Sequence, residues 1–200
     1  MARVEVIFDY SSPYAYFGSL LVEQVVQRHG AQLSWTPVVL GGIFQARNHV
    51  APVMGDTLKG PYLLEDLQNL SEVYGVSYKP RTEFIVKSIL PLRATLAVPQ
   101  GAERARAVHA LFHGAWAEDL DLSDPAHVKR LLDGAGLDGA QLVQATQSPA
   151  IKDELKANTD GALKRGIFGT PTFVLDSGKK FWGHDRLDVV DYYLRRAKAS

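Results

Sequence analysis

The sequence predicts an α/β fold in which a βαβ unit at the start and an αββα unit at the end are separated by an all-helical insertion. Three observations carry this expectation. An apolar run, Val4, Val6, Ile7 and Phe8, stops at Asp9-Tyr10-Ser11-Ser12-Pro13-Tyr14, where helical spacing begins. Strand-like patterning is then absent across residues 41–147. It returns as two short apolar runs on either side of Asp176-Ser177-Gly178-Lys179.

Residues 4–8 are apolar at nearly every position, the pattern of a strand covered on both faces. Ser12 fits an N-cap and Pro13 the first helical position, because serine accepts an orphan N–H bond and proline has no N–H to lose. Such a helix start concentrates amide donors and positive potential, which suits an anion or thiolate. Ser12 is therefore a candidate for chemistry as well as an ordinary cap, and these residues alone leave both open. Phe17, Leu20, Leu21 and Val25 recur at helical spacing, and Gly30 supplies the stop. Gln32-Leu33-Ser34-Trp35-Thr36 alternates strictly, so the first two strands are expected to pair in parallel through a right-handed crossover.

From Leu40, scattered glycines and prolines, Gly41-Gly42 and Gly60-Pro61 among them, read as a long surface excursion with room for one short helix. Helical periodicity covers 62–74, then 83–97 with an interruption at Pro91, then 102–116, 128–132 and 140–145. Ser148-Pro149 repeats the cap-plus-proline start for a helix running to Gly166. Thr172-Phe173-Val174-Leu175 and Lys180-Phe181-Trp182 form an antiparallel hairpin. Leu187, Val190, Tyr193 and Leu194 mark a last amphipathic helix with Asp185 and Asp188 at its start, Asp185 in the N-cap place. Arg195, Arg196 and Lys198 at its end match the macrodipole. The expected division is residues 1–40 and 148–200 for the two parts of the mixed unit and 41–147 for the insertion.

The 200 residues are 46% hydrophobic, enough to bury a substantial core. Basic and acidic residues number 22 each without a basic block, so nothing supports a nucleic-acid or acidic-membrane surface. Cysteine is absent, which excludes disulfides, thiolate metal sites and any chemistry of the chain's own thiols. If sulfur chemistry takes place here, a ligand must bring the sulfur. Met1-Ala2-Arg3-Val4-Glu5-Val6 enters a strand pattern with no apolar signal core. The richest aliphatic stretch, 20–26, is broken by Glu23 and Gln24 and falls far short of the roughly 20 apolar residues a membrane span needs. A cytoplasmic location without a membrane span is the expectation.

The element order is that of a thioredoxin fold split by a helical insertion. In thioredoxin-like proteins a Cys-x-x-Cys motif lies where the first strand meets the first helix, facing a proline, usually cis, before the third strand. Here Ser12-Pro13-Tyr14-Ala15 and Gly169-Thr170-Pro171-Thr172 occupy those places without either cysteine, so disulfide exchange is excluded. A trans proline opening an edge strand is the other reading of Pro171. Four motifs narrow the match. They are Phe8-Asp9-Tyr10-Ser11-Ser12-Pro13-Tyr14-Ala15-Tyr16, Leu40-Gly41-Gly42-Ile43-Phe44, Asn158-Thr159 with Gly166-Ile167-Phe168-Gly169-Thr170-Pro171-Thr172-Phe173, and Phe181-Trp182-Gly183-His184-Asp185-Arg186-Leu187. Together they resemble the 2-hydroxychromene-2-carboxylate isomerase family, which is related to kappa-class glutathione transferases and, more distantly, to DsbA. The likeness spans nearly the whole chain.

That resemblance implies glutathione as the cofactor and assigns positions. Ser12 takes the family's catalytic place, hydrogen-bonding the glutathione thiol. Thr170 pairs its backbone with the cysteinyl unit. His184 and Asp185 take the γ-glutamyl end, where His184 departs from the usual asparagine or serine. Asn48, after a segment slightly shorter than usual, and Lys59 complete the glutathione-binding positions. The family's substrate-carboxylate residue falls on Gln45, which is not basic; Arg47 or Lys59 can substitute, or can be solvated loop charges. Tyr14, Phe44 and Phe84 can stack on an aromatic substrate or serve as core. The implied reaction is reversible thiolate addition to a small aromatic or unsaturated carbonyl compound, then ring opening, bond rotation and elimination that returns glutathione. A homodimer is implied likewise.

Physical chemistry supports the Ser12 assignment. A hydrogen bond to a charged group is worth roughly 1.5–3 kcal/mol, and a helix N-terminus adds about 0.3–1, rising to ~2 when partly buried. At about 1.36 kcal/mol per pH unit, a bound thiol falls from about 8.5 by about one to three pH units, allowing for bonds the neutral thiol also makes. No general base is required.

Two other readings stand beside this one: a kappa-like transferase that joins glutathione permanently to an electrophile, and a non-catalytic, cysteine-free thioredoxin-like module that binds a partner. Other signals point away from further sites. Gly134-Ala135-Gly136-Leu137-Asp138-Gly139 fits a dinucleotide fingerprint but follows a helix, so an interhelical turn is expected. His109 and His113 have metal-ligand spacing without a third ligand, so no metal is expected. The stretch from Gly55 to Gly60 ends in Pro61 rather than Lys-Ser/Thr and is no phosphate loop.

Overall fold

The computed structural model describes residues 2–50, 58–83 and 85–198. β1 (Arg3–Phe8) feeds α1 (Pro13–His29), and β2 (Gln32–Pro37) returns parallel to β1. The insertion follows as α2 (Leu40–Ala46), α3 (Lys59–Tyr74), α4 (Ile89–Leu96), α5 (Ala102–Trp116), α6 (Pro125–Gly134) and α7 (Gly139–Ala145). After α8 (Pro149–Lys164), β3 (Thr172–Leu175) and β4 (Lys180–Trp182) form the antiparallel hairpin, and α9 (Leu187–Lys198) closes the described chain. The sheet order is β2-β1-β3-β4, with β3 antiparallel to β1. This is a thioredoxin-like sheet interrupted by helices, as the strand and helix signals predict.

Period-two alternation divides the core between the sheet's faces. Val4, Val6 and Phe8 join Phe173 and Leu175 in the larger cluster, which takes in the insertion through Phe112 and Trp116. Ile7 and Val174 point the other way, onto Val38, Ile43, Ala162 and Ile167. Both faces are covered, which explains the nearly unbroken apolar run of β1. Phe112 lies 5.7 Å from the Phe8 ring and 4.7 Å from the Tyr10 ring. The Trp116 indole N–H donates to the Tyr10 carbonyl at 2.9 Å, and the Tyr10 hydroxyl bonds Thr95 Oγ1 at 2.6 Å. The insertion is thereby fastened to the strand–helix junction.

Four local expectations need correction. Gly41 and Gly42 lie inside α2 rather than in an irregular loop. Tertiary bonds override the turn signal: the Leu40 amide donates to Asp9 Oδ2 at 2.7 Å, the Val39 amide donates to Thr159 Oγ1 at 3.0 Å, and Ile43 is fully buried. Pro91 does not interrupt a helix; it sits in the first turn of α4, where its missing N–H costs nothing, and the described residues before Ile89 in the 83–97 stretch are not helical. Asp185 is not the cap of α9. It belongs to a 3₁₀ turn, His184–Arg186, entered through Gly183 at φ +106°, and Asp188 is the residue whose carboxylate takes a first-turn amide, that of Val189, at 2.7 Å. Ser148 likewise makes no side-chain cap, and α8 starts on Pro149 alone. Among the described residues no helix is long and apolar enough to cross a membrane.

Candidate functional site

The N-terminus of α1 and the loop before β3 meet at Ser12 and Thr170. Ser12 caps α1 as its sequence predicts, with Oγ accepting the Ala15 amide at 3.2 Å. Its hydroxyl donates to the Thr170 carbonyl at 2.9 Å, across 158 residues of sequence. The Thr170–Pro171 peptide bond is cis. Both residues are buried, Ser12 at 5% and Thr170 at 6% exposure, and Thr170 Oγ1 has no hydrogen-bond partner. Pro13 has no amide to offer and Ala15 is already capped, so the Tyr14 N–H is the first-turn donor without an intrahelical acceptor.

A cleft of about 710 Å³ opens from this waist toward α2 and α3. Its walls are aromatic: Phe44, Tyr62, Phe168 and Trp182, with Phe168 edge-on to Trp182 at 4.8 Å. Gly169 makes room for that indole, since a Cβ there would come within 2.5 Å of Trp182 Nε1. Its charge is basic. Arg47, His49 and Lys59 all line it, and the Arg47 guanidinium lies 5.9 Å above the Phe168 ring.

A second recess of about 520 Å³ opens on the other side and shares Tyr14, Thr170 and Trp182 with the first. Here the charge is acidic, from Asp66 and Asp185, with Arg186 paired to Asp185 at 3.4 Å. The Tyr14 hydroxyl donates to Asp66 Oδ2 at 2.7 Å, and burial together with that carboxylate raises the phenol's pKa well above its ordinary value. His184 stacks flat on Tyr14, with ring centres 5.2 Å apart and planes 6° from parallel, while Tyr74 meets the imidazole edge-on. Burial holds His184 below the usual histidine range, against the opposite pull of Asp185 and Asp66.

A family model described as DSBA-like thioredoxin domain matches residues 3–195. The chain belongs to that family. Within it, the chain is similar to 2-hydroxychromene-2-carboxylate isomerase of Sphingobium xenophagum, at 25% identity over 193 residues, covering 96% of this chain and 97% of the relative. It is similar to glutathione S-transferase kappa 1 of Rattus norvegicus at 24% identity, covering 96% and 90%. A solved structure of a 2-hydroxychromene-2-carboxylate isomerase superposes with a TM-score of 0.86 at 24% identity, over 98% of this chain and 95% of that one, which is a likeness of fold. In this DsbA-like chain, serine and threonine flank the waist without any cysteine.

The DsbA-like fold brings most of the predicted positions together. Ser12, Tyr14, Phe44, Arg47, Lys59 and Thr170 line the larger cleft, and His184 and Asp185 line the acidic recess. Asn48, at φ +51°, and Gln45 are exposed and are not among the lining residues. Phe84 lies outside the described residues, as does Gly55, whereas Gly60 is part of α3. His109 bonds Glu23 at 2.8 Å and His113 bonds Glu118 at 3.1 Å, each histidine facing its own carboxylate. The glycine-rich 134–139 stretch is the α6–α7 turn.

Sequence reasoning missed Asp66, Tyr62 and His49. A signal for two of them was present: Lys59, Tyr62, Leu63, Asp66, Leu70 and Tyr74 recur at helical spacing, so one face of α3 runs along both recesses.

Proposed function

We propose that the cleft binds glutathione across its waist and that the protein is a glutathione-dependent isomerase of the 2-hydroxychromene-2-carboxylate isomerase type. The observation that carries this reading is the Ser12 hydroxyl, buried at a helix N-terminus and aimed at the carbonyl before a cis-proline. The residues present fit the tripeptide. Its γ-glutamyl end carries an ammonium group, which the Asp66 and Asp185 carboxylates suit, and an α-carboxylate, which Arg186 in the same recess suits; its glycyl carboxylate suits Lys59. The buried Thr170 Oγ1 has bonding capacity that the described residues leave unused.

When bound, glutathione supplies a thiolate that adds reversibly to an aromatic or unsaturated carbonyl substrate and is released after the bond rotation. Ser12 turns its hydroxyl proton from the Thr170 carbonyl toward the sulfur, while its oxygen keeps the Ala15 amide. The Tyr14 amide and the α1 dipole add positive potential at the same point. Arg47 orients an anionic substituent of the substrate, and Phe44, Phe168 and Trp182 flank its ring. Tyr14, with its proton held on Asp66 and its pKa raised, stays neutral and serves as an aromatic wall. A homodimer belongs to the same reading and rests on the family resemblance.

The test is stoichiometric. A hydroxychromene carboxylate is incubated with enzyme and a trace of glutathione, and product and thiol are followed together. Many turnovers at constant thiol are expected. Consumption of one thiol per product would instead identify the kappa-like transferase, the second reading, which the 24% identity to the rat enzyme supports. Failure of the folded protein to bind immobilised glutathione would overturn both and leave the non-catalytic module.

A further inference from the structure

Asp9 directly follows β1, is 1% exposed, and takes no part in the mechanism above. Its Oδ1 accepts the Ser11 amide at 2.9 Å and its Oδ2 accepts the Leu40 amide at 2.7 Å, with the Ser88 and Ser11 hydroxyls beside it. Burial pushes the carboxyl up, and these bonds pull it back. The two carboxyl oxygens each accept an amide, so one buried side chain ties the start of α1 to the start of α2, with the residue before α4 beside it.

The consequences for the two sides of the cleft are unequal. Ser12 is held independently, by its amide on the Asp9 carbonyl at 3.0 Å, by Tyr16 N on its own carbonyl, and by its hydroxyl on Thr170. α2 has no side-chain cap of its own, because Val39 stands in the N-cap place, and Asp9 supplies the missing acceptor from 31 residues away. α2 carries Leu40 and Phe44 into the cleft and leads directly to Arg47 and His49.

We infer that Asp9 is the positioning residue that sets this aromatic, basic wall in register with Ser12. The inference rests on the proposed reading only in treating that wall as the substrate's.

The experiment measures two affinities in the full chain: glutathione, and naphthoate as an unreactive aromatic carboxylate. Naphthoate is read by quenching of tryptophan fluorescence, since Trp35 and Trp116 are buried and Trp182 is 54% exposed beside the cleft. Asp9→Asn keeps the shape but turns an NH₂ toward one of the donors. It is expected to weaken naphthoate by about tenfold or more while glutathione changes less than about threefold. Ser88→Ala, which removes one donor, is expected to move naphthoate the same way by about two- to fivefold. Wild-type naphthoate affinity in folded Asp9→Asn, equal loss of both ligands, or no naphthoate binding by the wild type would overturn the inference. Should Asp9→Asn not fold, an unchanged naphthoate affinity in Ser88→Ala overturns it instead. Failure of the glutathione reading is a separate result, visible in the wild type alone.

Discussion

The two ends of the cleft are built from the same waist and have opposite chemistry. Toward α2 the walls are aromatic and the charges are Arg47 and Lys59; toward the 184–186 turn the charges are Asp66 and Asp185, over a flat pair of rings. A ligand with one kind of polar group would satisfy one end and be repelled by the other. The difference favours a ligand that carries an ammonium group at one end and only an anionic group at the other, with its reactive atom in the middle. α3 makes this possible, because Lys59 near its start and Asp66 two turns later face the two recesses from one helix.

If the ends act separately, they can be broken separately. Asp66→Asn is expected to weaken glutathione by about tenfold, the size of a lost charge-assisted hydrogen bond, and to leave naphthoate within about threefold. Arg47→Gln should do the reverse with a smaller effect, about fivefold at most on naphthoate and shrinking with added salt, because the guanidinium is on an exposed residue. Titration calorimetry with each ligand checks both, and equal losses of both ligands in either variant would erase the distinction.

The smallest effect belongs to His184 and concerns stability. Burial holds its folded pKa below the ordinary value, so the unfolded chain takes up a proton more readily. Stability therefore falls as pH drops below about 6.5 and levels off only beneath the folded pKa. His184→Asn removes that loss. Denaturant melts at about pH 7 and about pH 5.5 should show a smaller decrease for the variant than for the wild type. Equal decreases would show that the imidazole is not the group being titrated.

Local chemistry decided what could be read in advance. The β1–α1 junction was legible because Ser12 and Pro13 each have a positional preference, and the hairpin because two short apolar runs flank Gly178. α2 was not legible, since its start depends on Asp9 and Thr159, far away in sequence, while Gly41-Gly42 signal a turn locally. The pairing of Ser12 with Thr170 came only through resemblance, because nothing in either segment encodes the other. Asp66 was hidden for a similar reason: it becomes part of a site only by accepting the Tyr14 proton from 52 residues away. Asp185, which lines the recess, was named through the resemblance but not in its setting, because a carboxylate before an apolar helix has the same sequence signature as a cap.

The central claim is that Ser12 holds a thiolate, and the absorbance of bound glutathione thiolate, titrated in the wild type and in Ser12→Ala, tests it most directly. The account predicts a wild-type midpoint about one to three pH units below the thiol reference of about 8.5, moving back up in the variant. A wild-type midpoint at the reference value, or the same depressed midpoint in both proteins, would contradict it.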